Sequence, residues 1–329
     1  MHVVRVIIFG AGAVGSILGG RLHQGGAAVV LVARPAHVEA ISTYGLRLRM
    51  ASHTDIIDVP AVTSVDELQP AEDDVVIITA KTQDTGAIHD ALLAWNPNVA
   101  VVCGTNGVEH ERMALRRFER VYGMVIQMPS QFERPGEVTA LFSPNNALVD
   151  VGRYPSGVDE TTSTLAGMIE ASPRLSCQPD ADVMVQKYAK LLLNLGNAAD
   201  AACGRDGRNA RVVAVAIEEG RRVFDASGIR YRQTGEVKER MRDRVAMMQF
   251  DIPEGDTFLG GSTWQSLAKG ATTLETDYFN GEINLLGRMH GIATPANLFL
   301  QQLATTMLHE KTPPGSLSTA DLDAEYFGP

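Results

Sequence analysis

Residues 7–22 read IIFGAGAVGSILGGRL, with three glycines directly after a run of apolar residues. A GxGxxG pattern between a strand and a helix is typical of the phosphate-binding turn of a βαβ unit. Gly10 allows a tight turn, Gly12 lets the main chain approach a pyrophosphate, and Gly15 lets helix and strand pack closely. The N–H groups of the first helical turn then face the phosphates. The predicted dinucleotide-binding residues of this turn are Gly10, Gly12, Ala13, Val14 and Gly15.

The next apolar run, AAVVLVARPAHV at 27–38, is followed by Arg34 where an NAD-binding protein would have an acidic residue. An acid at this place binds the ribose 2′-OH of NAD, whereas arginine suits the 2′-phosphate of NADP. The alternative is a solvated arginine that opens the next helix. We therefore predict an NADP(H) site with Arg34 on the 2′-phosphate.

The composition of the 329-residue chain is that of a globular protein, with 45% hydrophobic and 21% charged residues. This length fits about two domains. The formal net charge of −10 argues against a nucleic-acid-binding surface, because no basic stripe offsets it. The eight histidines show no spacing typical of metal ligands, so we predict no metal site.

The N-terminus and the cysteines bear on the cellular location. The first ten residues lack a basic leader with a cleavage site, and the apolar runs are far shorter than the ~20 residues of a membrane span. Cys103, Cys177 and Cys203 are odd in number and scattered, which favours reduced thiols over a disulfide framework. We expect a cytoplasmic protein with no membrane partner.

Short apolar runs alternate with amphipathic stretches in the first half of the chain. The runs are continuous, as in strands buried on both faces of a parallel sheet. They cover residues 3–9, 27–33, 74–80 and 99–103. From about residue 121 the runs are broken by Pro-Gly and Asn-Asn turns, which indicates an antiparallel extension of the sheet. The pattern predicts an α/β, Rossmann-type doubly wound domain over residues 1–180.

Helical periodicity replaces the strand signals in the second half. The predicted helices cover residues 182–203, 211–228, 235–248, 274–290 and 295–308. Gly228 and Gly291 suit the position just after a helix end. The tail from residue 313 is expected to be a loop with a frayed end. Residues 181–329 are therefore predicted to form an all-α C-terminal domain.

Four later segments carry a resemblance to a known family. They are TAKTQDT (79–85), GTNGVEHE (104–111), YAKLLLNLGNAADAACG (188–204) and GGSTWQSLAKGATTLETDYFNGEINLLGRMHGIATPAN (260–297). In this order and spacing they closely resemble the ketopantoate reductase (2-dehydropantoate 2-reductase) family over nearly the whole chain. The last segment is the most specific. The resemblance implies NADPH-dependent reduction of a 2-keto acid, ketopantoate first, in the cleft between the two domains.

The resemblance also implies roles for single residues. Lys190 matches the catalytic lysine that gives a proton to the keto oxygen as hydride reaches the carbon, and Glu275 matches its acidic partner. The other implied contacts are Asn194 and Thr263 to the substrate, Lys81 to the cofactor, and Asn106 to both.

The spacing of polar residues around Lys190 indicates a binding site independently of the family resemblance. Lys190, Asn194 and Asn197 stand at i, i+4 and i+7, which places an ammonium and two amides on one face of a continuous helix. Such a stripe suits the wall of a cavity. The alternative is a solvated face on which Lys187 or Lys190 extends outward, and replacement of Lys187 is expected to change little.

Other site residues have structural alternatives. Glu275 forms a capping-box pattern with Thr272, which is compatible with a role in a site. Lys81 and Asn106 stand in segments that fit turn chemistry, since Asn-Gly is a common turn pair.

The chain departs from the family pattern at the second amide. Many members have an asparagine four residues after the first, whereas this chain has Ala198 there and Asn197 before it. Asn197 can take the place of that amide only in a pocket of different shape. Two other functions therefore stay open: a reductase or dehydrogenase of another branched 2-keto acid, and a non-catalytic NADPH sensor. The oligomeric state is also open, with a homodimer as one option.

Overall fold

A mixed sheet of eight strands forms the centre of the first half of the chain in the computed structural model, which describes residues 4–245, 248–256 and 260–328. The described strands are β1 (Arg5–Phe9), β2 (Ala28–Val32), β3 (Leu46–Arg49), β4 (Thr54–Ile57), β5 (Ala61–Val62), β6 (Asp74–Ile78), β7 (Ala100–Cys103), β8 (Val121–Gln127), β9 (Ser130–Arg134), β10 (Glu137–Ala140), β11 (Phe142–Pro144), β12 (Ala147–Arg153), β13 (Leu175–Pro179) and β14 (Met248–Phe250). Their order in the large sheet is β13-β12-β8-β7-β6-β1-β2-β5. The four apolar runs predicted as strands are β1, β2, β6 and β7, which pair in parallel.

Helices accompany the sheet in the first half and make up nearly all of the second. The described helices are α1 (Ala13–Gln24), α2 (Pro35–Tyr44), α3 (Thr85–Trp95), α4 (Glu109–Leu115), α5 (Glu160–Glu170), α6 (Val183–Asn194), α7 (Asn197–Cys203), α8 (Arg211–Ala226), α9 (Thr234–Val245), α10 (Ser262–Ala268), α11 (Asn280–His290), α12 (Pro295–Glu310) and α13 (Thr319–Phe327). Val6 and Ile8 of β1 lie in one apolar core and Ile7 lies in another, as expected for a strand covered on both faces. The predicted Rossmann-type fold with an all-α second part is confirmed.

The antiparallel extension accounts for only part of the strands after residue 121. β8 and β12 pair antiparallel in the large sheet, as predicted. β9 and β10, however, belong to a separate four-stranded sheet with β3 and β4, in which β10 pairs in parallel with β3. The pairing of β10 with β3 joins segments about ninety residues apart, so no local pattern could indicate it.

The chain divides into two units, Met1–Lys187 with Gln233–Asp256 and Tyr188–Arg232 with Thr257–Pro329. The division differs from a single boundary at residue 180, because α9 and β14 belong to the first unit. Arg244 of α9 donates to Asp150 over 2.8 Å and to the main-chain oxygen of Val149 over 2.8 Å. These contacts bind α9 to β12 of the sheet.

The second half differs from the predicted helix pattern in several places. The predicted helix 182–203 is two helices, α6 and α7, and the tail expected to be a loop contains α13. Ser318 begins α13 with a capping box to Asp321, a local signal that the sequence contains. Gly228 and Gly291 have φ of 66° and 69° just past helix ends, as predicted.

Two further properties concern the described residues. In that part of the chain, no helix combines the length and the apolar character that a bilayer span requires. Cys103, Cys177 and Cys203 are free thiols, as predicted.

Candidate active site

The three glycines after β1 have different surroundings. Gly10 has φ of +91°, and a Cβ there would lie 2.7 Å from the main-chain nitrogen of Ala80. A Cβ at Gly15 would collide with the Thr79 hydroxyl, so only glycine lets α1 pack this closely. At Gly12 the nearest atom to a Cβ would be 3.9 Å away, which leaves the main chain open to a ligand. The turn thus fits the phosphates of a dinucleotide.

Four residues predicted to bind the nucleotide follow neighbouring strands. The last residues of β1, β2, β6 and β7 stand side by side in parallel register. Gly10, Arg34, Lys81 and Asn106 each come within three residues of these strand ends. All four therefore lie at the carboxyl edge of the sheet, where doubly wound folds bind their ligands.

Arg34 precedes α2 at this edge and has an exposed side chain. The start of α1 lies at the same edge, and its N-cap residue Gly12 offers no side-chain acceptor. The main-chain N–H groups of Ala13 and Val14, in the first turn of α1, have no acceptor within the helix. A cation and a set of N–H donors on one edge suit a ligand with several phosphate groups.

His37 connects α2 to the glycine-rich turn, which the sequence does not indicate. The Gly136 N–H donates to Nδ1 of His37 over 2.8 Å, so the neutral ring carries its hydrogen on Nε2. Nε2 lies 3.0 Å from the Ser16 hydroxyl, which donates to the main-chain oxygen of Ala11 over 3.1 Å. Burial lowers the pKa of His37 from 6.5 to about 4, in agreement with a neutral ring.

Lys187 is buried in the first unit, so the alternative in which it extends outward on a solvated face does not hold. Its ammonium donates to the Glu111 carboxylate and to the main-chain oxygens of Cys103 and Thr105, the latter two over 3.3 and 3.1 Å. The two oxygens flank the start of the turn that carries Asn106. Burial raises the pKa of Glu111, and the ammonium opposes this effect.

A break between α6 and α7 corrects the predicted stripe of polar residues. α6 ends at Asn194 and α7 begins at Asn197, so Asn197 does not continue the helical face of Lys190 and Asn194. Gly196 precedes α7, and a Cβ there would lie 3.1 Å from the Val213 side chain. Lys190 and Asn194 remain one turn apart on α6, and Lys190 is half-buried.

Side chains from elsewhere in the second unit bind the main chain at this break. Arg208 donates to the Leu193 oxygen over 3.1 Å and to Oδ1 of Asn197 over 2.7 Å. Asn280 donates to the Leu195 oxygen over 3.1 Å. Nδ2 of Asn194 is buried, and no hydrogen-bond partner for it is found among the described residues. An unpaired buried donor is costly, so this amide is available to a ligand.

The carboxylate of Asp200, in α7, connects the break to α10. One oxygen accepts from the Gly261 N–H over 2.6 Å, and the other lies 3.4 Å from Nε of Arg208. Gly261 is the N-cap residue of α10, and the buried Thr263 follows in its first turn. The contact brings the segment that carries Thr263 to the break.

Glu275 is buried in a short 3-10 helix, Glu275–Tyr278, rather than at the start of the long predicted helix. Leu274 precedes this turn without a side-chain cap, so the alternative of a capping box with Thr272 does not hold. Asn280 begins α11 directly after the turn and also donates to Oδ1 of Asn297 over 3.0 Å. This bond joins residues 279–281 (FNG) to residues 294–297 (TPAN). Through its bond to Leu195, Asn280 also holds the Glu275 segment at the break.

Most of the predicted substrate-binding residues thus lie in segments of the second unit that meet at the α6–α7 break. Asn194 and Asn197 lie at the break, and the segments that carry Thr263 and Glu275 are hydrogen-bonded to it. No pattern in the sequence indicates Asp200 or Arg208. Gly196 is the one local signal for a break, since glycine often ends a helix.

Comparison with known proteins places the chain among reductases. The family model for ketopantoate reductase PanE/ApbA matches residues 6–154, and the model for its C-terminal part matches residues 183–307. The 2-dehydropantoate 2-reductase of Archaeoglobus fulgidus is 28% identical over 313 residues, which cover 92% of this chain and 97% of that protein. The one from Pyrococcus abyssi is 24% identical over 319 residues, with 90% and 95% covered.

Solved structures agree with these matches. A PanE/ApbA family ketopantoate reductase from Ralstonia eutropha has a TM-score of 0.76 at 27% identity and covers 93% of this chain and 99% of its own. A D-mandelate dehydrogenase solved with NADH and anilino(oxo)acetate has a TM-score of 0.78 at 23% identity, with 94% and 99% covered. The second likeness concerns the fold alone.

Proposed function

The chain belongs to the ketopantoate reductase (PanE/ApbA) family and is an oxidoreductase, and we propose that it reduces 2-dehydropantoate to pantoate with NADPH. The observation that carries the proposal is that the segments of Asn194, Thr263 and Glu275 meet at the α6–α7 break, where Nδ2 of Asn194 has no partner among the described residues. A site of amide, hydroxyl and carboxyl groups suits a small, highly oxygenated substrate.

The first unit holds the nucleotide in this proposal. The open main chain at Gly12 and the N–H groups at the start of α1 bind the pyrophosphate, and Arg34 binds the 2′-phosphate. The bound dinucleotide supplies the hydride. Lys81 and Asn106 lie on the same edge of the sheet and contact the nicotinamide half.

Residues of the second unit handle the proton and the substrate. Lys190 gives a proton from Nζ to the keto oxygen, which balances the negative charge that arrives with the hydride. Glu275 orients the ammonium and, with Asn194, binds the hydroxyl end of the substrate. Thr263 and the main chain beside it bind the carboxylate.

A reductase of a different branched 2-keto acid is the second candidate, and Asn197 favours it. Its Oδ1 accepts from Arg208, which fixes the amide toward that side chain. An amide fixed there, one position earlier than in the family pattern, would recognise the hydroxymethyl arm of 2-dehydropantoate less well.

Steady-state kinetics with two substrates separate the candidates. We expect kcat/KM for 2-dehydropantoate to exceed that for 2-ketoisovalerate, which lacks the hydroxymethyl arm, by more than ~10². Equal rates, or faster reduction of 2-ketoisovalerate, would assign the second candidate. Tight NADPH binding without turnover of any 2-keto acid would instead indicate a nucleotide sensor.

A further inference from the structure

Arg208 and Asp200 together contact Leu193 and Asn197 at the α6–α7 break and Gly261 at the start of α10. The guanidinium binds the Leu193 oxygen, just before Asn194, and the side chain of Asn197. The carboxylate binds the N–H of Gly261, two residues before Thr263. The pair therefore spans the two segments that carry the proposed substrate-binding amide and hydroxyl.

We propose that Arg208 and Asp200 are positioning residues that fix Asn194 and Thr263 relative to each other, an inference that rests on the proposed function. The planar guanidinium has five N–H donors in a fixed fork, so it can bind the Leu193 oxygen, Asn197 and Asp200 at once. A lysine ammonium lacks this geometry.

Close packing leaves the pair little freedom. A Cβ at Gly261 would lie 2.9 Å from Oδ2 of Asp200 and 3.2 Å from Nη2 of Arg208, so both side chains border the space that a side chain at residue 261 would need. At Gly207, before Arg208, a Cβ would collide with the main-chain oxygen of Ala199. The turn that carries Arg208 is thus pressed against α7.

Arg208 and Asp200 differ in exposure. The Arg208 side chain is 42% exposed, whereas that of Asp200 is 3% exposed and also accepts from the Gly261 N–H. Replacement of Arg208 therefore leaves a buried carboxylate with one donor fewer, so stability is measured beside KM. Arg221 offers a matched control, because it is 41% exposed in the same unit and pairs with the surface residue Glu218 over 3.3 Å. The partners of Arg208 lie at the α6–α7 break, whereas the partner of Arg221 is a surface carboxylate.

The test compares Arg208→Met and Arg208→Lys with Arg221→Met. We expect KM for 2-dehydropantoate to rise at least about tenfold in Arg208→Met, which corresponds to ~1.4 kcal/mol of binding. Arg208→Lys should restore only part of the loss, and kcat should change less than KM. The Kd for NADPH should match that of Arg221→Met, and the rise in KM should persist when both variants are assayed well below their melting temperatures. An unchanged KM, or a loss of melting temperature that accounts for all lost activity, would overturn the proposal.

Amide hydrogen exchange tests the pair independently of activity. Peptides that cover residues 193–199 and 260–266 should exchange faster in Arg208→Met than in Arg221→Met, because both segments lose an anchor. If wild-type protein reduces no 2-keto acid, the proposed function fails and the exchange rates alone decide the positioning role. Equal exchange in the two variants would refute it.

Discussion

Lys187 donates to the carboxylate of Glu111 with both side chains closed to solvent, since their exposed fractions are 3% and 0%. The residues are 76 positions apart in the chain, and their contact lies beside the turn that carries Asn106. Two buried charges are costly, and the main-chain oxygens of Cys103 and Thr105 satisfy further hydrogens of the ammonium. The pair is therefore an anchor for this turn.

Removal of one partner should destabilise the fold strongly. We expect Lys187→Met to lower the free energy of unfolding by about 3–5 kcal/mol, because Glu111 is left as a buried, uncompensated charge. The double variant Lys187→Met with Glu111→Leu should recover a large part of this loss. Urea unfolding of the two variants and the wild type measures both effects. Equal stability of Lys187→Met and wild type would show that the ammonium is not needed by Glu111.

Arg34 should determine the preference for NADPH over NADH. A charge-assisted hydrogen bond to the 2′-phosphate is worth roughly 1.5–3 kcal/mol, or about 10- to 150-fold in affinity. In Arg34→Ala, the KM values for NADPH and NADH should become similar. The control is Arg153→Ala, because Arg153 ends the antiparallel strand β12 and lies at the opposite edge of the sheet. An unaltered cofactor preference in Arg34→Ala would remove this residue from the nucleotide site.

Lys190 should be required for turnover and not for nucleotide binding. A positioned general acid contributes about 10²–10⁴-fold, so Lys190→Ala should lower kcat by that factor. The Kd for NADPH should stay close to the wild-type value. Lys269→Ala, at an exposed position of the same unit, serves as the control. Similar kcat values for the two variants would mean that another group donates the proton.

His37 should make the fold sensitive to acid. Its pKa is lowered to about 4 in the folded chain, against 6.5 for an unburied histidine. The unfolded chain therefore binds more protons between these values, and stability falls as the pH drops from 6.5 to 4. The effect of one such group is at most about 1.4 kcal/mol per pH unit.

The variant His37→Asn isolates this contribution. Its side-chain oxygen can accept from the Gly136 N–H in place of Nδ1, but it does not titrate. Unfolding free energies measured across this pH range should fall less steeply for His37→Asn than for the wild type. Parallel slopes for the two proteins would contradict the assignment.

Features that depend on short-range geometry could be predicted from the order of residues. Gly10 requires positive φ and Gly15 requires close packing, and both demands are visible in one turn of chain. Continuous apolar runs identified the parallel strands, because a strand covered on both faces has no polar side. The carboxyl edge of these strands then placed Gly10, Arg34, Lys81 and Asn106 together.

The pairing of the polar side chains depends instead on the folded chain. Lys187, Arg208 and His37 each looked solvated or unremarkable in sequence, and each proved to bind main-chain or side-chain groups of other segments. Helical periodicity carried the predicted polar face through to Asn197, whereas contacts from Arg208 and Asn280 stabilise a break before it. Such pairings follow from which segments meet in space, and a linear pattern of residues does not encode that directly.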